Sequence, residues 1–477
     1  MVLWYRRRLE ARQAYIGVLH QHRVYAVQRP GSKIMSSIRQ LVFTPRLWQT
    51  VQATIFAKAH HEGFAFGLAR PCRRNNGLAY VVECLLELDD ADYEHRSGGG
   101  VTTTVTFSNR INQIAVDAAQ QGLIPVHLHS HPAGVETFSG YDDRHEQLLH
   151  HWLQSQSQPL LISLVQAVGS EPRARLWLQG RTEELMVRNG LQVFSSKSSV
   201  HLPALARQNI FGEGLRKAAS QLQVAIVGVG GIGMLVAEQL ARAGFTRFVL
   251  VDHDKVELSN LNRLPNLSQT DLGRLKVKAA KNLIQKASRA VGTNAQIHAL
   301  SYDIYTAPKR VKNTVSQCDI ILALTDNELS RISCLDMALD AGAEFLMAGV
   351  DIRLDAEGQI IGLFAEVSGA EQGRYCPLCT GRLDSGQASL DARQYVGGEV
   401  WDKAQTDGYI KGIPDPSVMS LNSIAAGAVV LEIQRRVAGL GVRDLWQLDY
   451  QTGELVTYDN IENHVKEECL VCNSSGS

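Results

Sequence analysis

The stretch VAIVGVGGIGMLVAEQLARAGFTRFVLVDHDKVELSNLNRLPNLSQTDLGRLKVK, residues 224–278, decides the fold of over half of the chain. Its first four residues predict a buried strand, and residues 234–243 predict a helix. Glycines between them allow a tight turn, in which backbone N–H groups approach a phosphate at the N-terminus of the helix. These glycines are Gly228, Gly230, Gly231 and Gly233. A second strand, Arg247–Val251, ends at Asp252, about twenty residues further on, where dinucleotide folds hold a ribose hydroxyl.

The residues after Asp252 favour nucleotidyl transfer. The glycines and one acid alone would fit an ordinary NAD-binding domain equally well. The polar residues that follow are Asp254, Asn260, Asn262, Arg263, Gly273, Lys276 and Lys278, and later Asp326 and Asn327 after another apolar strand, 320–324. Hydride transfer has little use for additional cations and acids near phosphates. Nucleotidyl transfer needs them, because cations stabilise phosphate charge and a carboxylate holds magnesium.

This pattern resembles the ThiF/MoeB/ubiquitin-activating superfamily, whose members adenylate the C-terminal carboxylate of a small ubiquitin-like protein. The GxGGxG turn, the D-x-D…NLNR run, the Gly-x-x-Lys and the TDN turn occur in that order, and the resemblance covers residues 205–472. It implies a Rossmann-like, doubly wound α/β domain that uses ATP and Mg²⁺. Asp252 and Asp254 would lie at the nucleotide, with Asp252 on the ribose.

The same resemblance implies further site residues. Asn262, Arg263 and Lys276 would contact the phosphates. Asp326 would hold magnesium, with Asn327 beside it in the TDN turn. Arg207 occupies the place of a family arginine that reaches the ATP, often from the partner subunit of a homodimer.

Length and charge limit the other possibilities. The 477 residues suffice for two or three domains, and the formal net charge is zero. The charges are spread along the chain, so no nucleic-acid partner is indicated. We find no membrane-length apolar stretch and no convincing signal peptide, and therefore expect a cytoplasmic protein. Residues 1–40 are Arg-rich. They predict a disordered basic tail or a transit-like segment, or else translation starts at Met35.

The second informative stretch is HLHSHPAGVETFSGYDD, residues 127–143. It follows a strand predicted over residues 124–129. His129 and His131 are two residues apart, so on an extended strand they point the same way. Ser139 can cap the following helix, and Asp142 falls in its first turn. Two imidazoles and one carboxylate around zinc leave a fourth position open, as a catalytic site needs. The simpler interpretation is a His-rich loop followed by a capping box, and His127 is a strand residue without an assigned role.

The full spacing of this motif resembles the JAMM (JAB/MPN-type) zinc isopeptidases, over residues 41–178. The resemblance implies an α/β metalloprotease domain in which His129, His131 and Asp142 bind a catalytic Zn²⁺. Glu62 matches the upstream glutamate of that family and would be the general base. Ser139 would help to stabilise the tetrahedral oxyanion.

The domains are predicted at 41–189 and 204–477, joined by a linker over 190–203 that lacks periodicity. Within the first domain, residues 45–59 and 109–121 predict helices, and residues 101–107 predict a strand.

The eight cysteines do not suggest a secreted disulfide framework. Four of them form two C-x-x-C pairs, which suit a second, structural zinc ion. The pairs are Cys376 with Cys379 and Cys469 with Cys472. Their wide separation weakens the case from spacing alone, although the superfamily often has such pairs. A redox role is the alternative.

The crossover loop after the first pair, residues 382–415, contains no cysteine. Many superfamily members carry a catalytic cysteine there, which accepts the activated protein as a thioester. Cys318 and Cys334, near Asp326, are expected to be small buried thiols. The sequence therefore favours adenylation without a thioester on this chain.

Together the two resemblances imply a bifunctional enzyme of a bacterial ubiquitin-like protein system. One half would cleave at the C-terminus of a ubiquitin-like protein, and the other would adenylate that C-terminus. The partner would end in glycine, and a conjugating enzyme and a role in anti-phage defence are further expectations. The first alternative is processing and activation of a sulfur carrier for cofactor or siderophore biosynthesis. The second is an inactive scaffold that binds a ubiquitin-like protein.

Overall fold

The computed structural model describes residues 38–58, 60–86, 88–132, 134–195, 202–355, 357–396, 417–458, 461, 465, 469, 471 and 472. Nearly all of the Arg-rich segment, residues 1–37, lies outside the described residues. The chain divides into two compact units, Met1–Ser198 and Ser199–Ser477. Within the described ranges, no helix is both long enough and apolar enough to cross a membrane.

Over its described residues, the first unit is built on an eight-stranded sheet with three α-helices. Its elements are β1 Ile38–Phe43, α1 Pro45–Ile55, β2 Phe64–Arg74, β3 Gly77–Leu86, β4 Tyr93–Ser97, β5 Gly100–Thr103, α2 Val105–Ala119, β6 Ile124–His131, α3 Gly140–Ser155, β7 Leu160–Ala167, β8 Arg173–Leu178, β9 Arg181–Asn189 and β10 Gln192–Phe194. The strand order is β1-β3-β2-β6-β7-β8-β9-β10, and β1 also pairs with β9, so the sheet closes on itself. β4 and β5 form a separate hairpin.

Strand β6 lies near the middle of this sheet and is buried along its whole length. Val126 and Leu128 pack in the core that includes α1. Successive side chains of a strand alternate between faces, so the three histidines of β6 lie on the opposite face. The core of α2 and α3 covers that face. The sequence therefore directs His129 and His131 towards the helix that carries Asp142.

The second unit contains a mixed eight-stranded sheet. Its elements are α4 Gly212–Gln221, β11 Val224–Val227, α5 Gly231–Arg242, β12 Arg247–Val251, α6 Lys276–Ala290, β13 Gln296–Leu300, α7 Lys309–Ser316, β14 Ile320–Ala323, α8 Glu328–Ala341, β15 Glu344–Leu354, β16 Ile360–Ala370, α9 Ser385–Val396, α10 Met419–Val437, β17 Leu445–Asp449 and β18 Glu454–Tyr458. The order is β13-β12-β11-β14-β15-β16-β17-β18. The first five of these strands are parallel. A Rossmann-like arrangement with a switch point between β11 and β14 results.

Several sequence predictions need correction. The strand predicted over residues 101–107 ends at Thr103, because Thr104 caps α2 and its side chain accepts a hydrogen bond from the Phe107 N–H. The helix predicted over residues 45–59 ends at Ile55. Gln192–Phe194, placed in the linker, pairs with β9 as a short strand.

Candidate functional site

In the first unit, two histidines and one aspartate bring their donor atoms together. His129 Nε2 lies 3.1 Å from His131 Nε2 and 3.2 Å from Asp142 Oδ1. His131 Nε2 lies 3.3 Å from Asp142 Oδ2. Donors about 2.0–2.1 Å from a tetrahedral zinc ion are about 3.3 Å apart. The three groups therefore fit one Zn²⁺ ion, and they leave a fourth position for another ligand.

Backbone and hydroxyl contacts orient two of these groups. His131 Nδ1 lies 3.2 Å from the Val135 carbonyl oxygen, the kind of outer contact that fixes an imidazole ligand. Ser139 caps α3: its backbone N–H and its hydroxyl donate to Asp142 Oδ2, at 2.6 and 2.7 Å. Burial raises the pKa of Asp142, but hydrogen bonding to His129 and His131 outweighs it, so the pKa lies well below its ordinary value. The carboxylate is thus ionised, as a metal ligand must be.

Glu62 lies just before β2 and shares a cavity of about 450 Å³ with His131. Burial raises the pKa of Glu62, while the nearby His131 and His129 partly oppose that shift. The Glu62 backbone N–H donates to the Ser97 carbonyl at 2.7 Å, which anchors the loop to the β4–β5 hairpin. The structure thus brings the predicted general base to the predicted metal ligands.

The sequence analysis assigned no role to Ser130, which lies between the two histidine ligands. Its hydroxyl accepts a hydrogen bond from the Gly63 N–H at 2.8 Å and donates to the Ile55 carbonyl at 2.7 Å. It therefore ties the loop of Glu62 to β6. The position of Ser130 between His129 and His131 was the sequence signal that could have indicated this role. His127 is buried between the rings of Phe64 and Phe66, and this burial lowers its pKa to about 3.

In the second unit, the glycine turn follows β11, where two glycines leave no room for a side chain. Gly228 has a φ of 87°, and a Cβ atom there would lie 2.6 Å from the Leu324 carbonyl oxygen. A Cβ atom on Gly233 would lie 2.0 Å from the Gly228 oxygen. Gly230 caps α5, which therefore begins at Gly231, earlier than the sequence predicts.

Asp252 follows β12 and is tied to this turn. One carboxylate oxygen accepts from the Val229 N–H at 2.9 Å and the other from the Asp254 N–H at 2.8 Å. Burial raises the pKa of Asp252, with Lys276 acting in the opposite direction. Lys276 Nζ donates to Asp254 Oδ2 at 2.8 Å. The predicted ribose and phosphate residues are therefore neighbours at the carboxyl ends of β11 and β12.

Arg263 lies beside the glycine turn, since a Cβ atom on Gly231 would be 3.5 Å from its Cδ atom, and Asp326 and Asn327 follow β14. Arg263 donates to the Ser259 carbonyl at 2.7 Å and to the Asn262 side chain at 3.2 Å. Asp326 is exposed beyond the end of β14. Asn327 caps α8, where its side chain accepts from the Ser330 N–H at 2.8 Å.

Arg207 is exposed in a 3₁₀ helix, Pro203–Phe211.

Cys318 and Cys334 are fully buried, as expected, and burial raises the pKa of Cys334. In the crossover loop, residues 397–415 lie outside the described residues.

The two C-x-x-C pairs meet in one cluster. The Sγ atoms of Cys376 and Cys469 are 3.8 Å apart, and so are those of Cys379 and Cys472. Thiolates about 2.3 Å from a tetrahedral zinc ion are separated by about 3.8 Å, so the four fit one Zn²⁺ ion. Hydrogen bonding with Cys376 lowers the pKa of Cys379 to about 7, whereas hydrogen bonding with Cys379 raises the pKa of Cys376.

These features define the second unit as a Rossmann-like α/β domain with a glycine-rich turn between β11 and α5. The ThiF family profile matches residues 203–475, more than half of the chain, and the chain therefore belongs to the ThiF family.

Among curated proteins, ubiquitin-like modifier-activating enzyme 5 of Drosophila sechellia is 30% identical over 191 residues, which cover 37% of this chain and 45% of that protein. The Caenorhabditis elegans protein of the same name is 34% identical over 154 residues, covering 30% of this chain and 34% of that protein. The chain thus spans less than half the length of these relatives.

Solved structures offer a more distant similarity. The crystal structure of Escherichia coli MccB with succinimide has a TM-score of 0.42 and 14% identity, and the match covers 55% of this chain and 72% of that chain. Escherichia coli MccB with ATP has a TM-score of 0.41 and 12% identity, covering 83% of this chain and 97% of that chain.

Proposed function

We propose that the second unit adenylates the C-terminal carboxylate of a ubiquitin-like or sulfur-carrier protein with ATP. The observation that carries this proposal is the meeting of the glycine turn, Asp252 and Lys276 at the carboxyl ends of adjacent parallel strands. Membership of the ThiF family supports the reaction class. The names of the curated relatives support a ubiquitin-like substrate.

In this reaction a carboxylate oxygen of the carrier attacks the α-phosphorus of ATP. The bond to the bridging oxygen breaks, and pyrophosphate leaves with that electron pair. N–H groups of the glycine turn and the cations of Arg263 and Lys276 would meet the developing phosphate charge. Asp252 would bind the ribose, and Asp326 would hold Mg²⁺, which neutralises phosphate charge when bound.

Two expectations about this site belong to the same proposal. Arg207, which is exposed, would reach the nucleotide of a partner subunit in a homodimer. The burial of Cys318 and Cys334 supports adenylation without a thioester, because a buried thiol of high pKa is a poor nucleophile. The activated carrier would then pass to a separate thiol, a conjugating enzyme or a sulfur donor. Anti-phage defence and cofactor or siderophore biosynthesis are the two settings that suit this chemistry.

ATP–pyrophosphate exchange tests the proposal. We expect the full chain to transfer label from pyrophosphate into ATP only when a ubiquitin-like protein with a free C-terminal glycine is present. The same protein with a C-terminal amide should not support this exchange. Asp326→Ala is expected to lower the exchange about a hundredfold, because one preorganised charge contact is lost. Asp351→Ala, at an exposed carboxylate of β15, is the matched control and should exchange normally. Exchange that persists with the amidated carrier, or at full rate in Asp326→Ala, would refute the assignment.

We further propose that the first unit is a zinc-dependent hydrolase of the JAMM type, which cleaves at the C-terminus of the same carrier. The separations of 3.1–3.3 Å among His129, His131 and Asp142 carry this second proposal. Zn²⁺ held there would supply Lewis-acid chemistry. Glu62 would take a proton from the attacking water and deliver it to the leaving amine. Ser139 would donate to the developing oxyanion, for which its hydroxyl must turn from Asp142.

The two activities are chemically complementary. Hydrolysis exposes a carboxylate at the terminal glycine, and adenylation needs that carboxylate free. An inactive scaffold would bind the carrier without exchange and without chelator-sensitive cleavage. Measuring both activities on one precursor, in which a short extension follows the glycine that is to become C-terminal, therefore separates the enzyme from the scaffold.

A further inference from the structure

The loop and helix turn that supply Asp142 are fastened by Arg175, which lies outside them on β8. Residues 134–137 of the loop are exposed and have little packing of their own. The next residue, Phe138, is covered by the Arg175 guanidinium, whose central carbon lies 3.8 Å from the ring centroid. The Phe138 ring in turn lies 6.3 Å from the His129 ring, between centroids. Arg175 is thus connected through one aromatic ring to a predicted metal ligand.

Arg175 also binds the first turns of α3, beside Asp142. Its Nη1 donates to Asp143 Oδ1 at 2.5 Å, and its Nε donates to Glu146 Oε2 at 2.8 Å. The Trp177 indole N–H donates to the same Glu146 oxygen at 2.6 Å. The side chains of Arg175 and Glu146 are only 11% and 5% exposed. Salt screens a shielded ion pair much less than an exposed one.

We infer that Arg175 is a positioning residue for the predicted metal site, an inference that rests on the proposed hydrolase function. Its partners Phe138, Asp143 and Glu146 stand on both sides of Asp142 in the sequence, so the guanidinium sets where that carboxylate lies relative to the histidines. A planar guanidinium can donate in two directions and stack on a ring at once, which an ammonium cannot do. Outer partners of this kind change metal affinity about 10- to 100-fold.

Metal binding by the full chain, with the cysteine cluster kept filled by Zn²⁺, tests this inference. Co²⁺ is titrated into the first site against a competing chelator, and its visible d–d spectrum is recorded at saturation. For Arg175→Met we expect affinity weakened about 10- to 100-fold and an altered spectrum. Arg181→Met, at an exposed arginine of the next strand, is the matched control and should leave both unchanged.

A second variant separates failure of the inference from failure of the hydrolase proposal. If His129→Ala binds Co²⁺ as tightly as the unaltered chain does, the metal site itself is wrong. If His129→Ala abolishes binding while Arg175→Met keeps full affinity and the original spectrum, only the positioning role is wrong. Should Arg175→Met fail to fold by circular dichroism, Arg175→Lys and Glu146→Gln replace it. Both are expected to weaken binding and alter the spectrum, and unaltered values in both would overturn the inference.

Discussion

Two of the metal-type clusters among the described residues, the histidine cluster and the cysteine cluster, differ in the number and origin of their donors. His129, His131 and Asp142 come from one strand and the next helix, within fourteen residues of sequence, and they provide three donor groups. The cysteine cluster provides four, from pairs that are 93 residues apart. Zinc with three protein ligands keeps a position for substrate or water, whereas four thiolates close its coordination sphere. The first cluster is therefore suited to chemistry and the second to holding chain segments together.

The surroundings of the two clusters support this distinction. Glu62 and a cavity of about 450 Å³ adjoin the histidine cluster. The cysteine cluster instead contributes to a core: Cys376 and Cys472 are completely buried and pack with apolar residues of the second unit. The first site therefore adjoins space for a reactant, whereas a metal ion bound by the second would stabilise the fold.

The largest effect that this comparison predicts is on the cysteine cluster. We expect Cys376→Ser to lower the zinc content by about one equivalent and to destabilise the second unit strongly. Structural zinc contributes apparent binding free energies on the order of 10 kcal/mol or more to folding. Elemental analysis and denaturant unfolding of the full chain measure the two quantities.

Cys334→Ser is the matched control, because Cys334 is also 0% exposed but lies outside the cluster. Its free energy of unfolding should fall by about 1–3 kcal/mol, because a hydroxyl is buried there, while its zinc content stays unchanged. Equal zinc content in the two variants would rule out the second site.

The histidine cluster should respond in the opposite way. We expect Glu62→Ala to retain zinc and stability but to lose cleavage of a C-terminally extended carrier by about 100- to 10,000-fold, since a general base is removed. Cleavage rates and zinc content are measured on the same preparation. Glu136→Ala, at an exposed carboxylate of the loop after β6, serves as the control and should cleave normally. A Glu62→Ala chain that cleaves at the usual rate would show that another group is the base.

The proximity of His129, His131 and Asp142 follows from local spacing for a physical reason. Alternation along β6 puts His129 and His131 on one face, and a capping box fixes Asp142 in the first turn of α3. The Arg175 contacts could not be predicted in this way, because Arg175 and Asp143 are 32 residues apart and no local motif links them. Their approach depends on the packing of α3 against the sheet.

The strand predicted over residues 101–107 is a case in which a local pattern predicted the wrong structure for part of a segment. Its β-branched residues are typical of a strand, and β5 does form over Gly100–Thr103. However, Thr is also a good helix cap, and at Thr104 the capping hydrogen bond prevails. In the second unit the same kind of reasoning succeeded for β11 and β12, because short, wholly apolar parallel strands followed by glycine or aspartate leave few alternatives.

The smallest predicted effect concerns Ser139, which has a structural role as a helix cap and a proposed catalytic one. Ser139→Ala removes the cap and one of the two hydrogen bonds from Ser139 to Asp142, while the N–H donation at 2.6 Å remains. We expect the free energy of unfolding to fall by about 1 kcal/mol, the usual contribution of a cap. Because the Ser139 hydroxyl would also donate a hydrogen bond to the oxyanion, the cleavage rate should fall further than this loss of stability explains.

Thr104→Ala provides the comparison that separates the two roles of Ser139. Thr104 caps α2 through the Phe107 N–H at 3.3 Å, but the first turn of α2 carries no predicted metal ligand. Thr104→Ala should therefore lower the free energy of unfolding by a similar amount, about 1 kcal/mol, and leave the cleavage rate of the folded chain unchanged. If Ser139→Ala also leaves that rate unchanged, Ser139 is a cap alone. Stabilisation of the oxyanion would then have to come from another donor in the cavity beside Glu62 and His131.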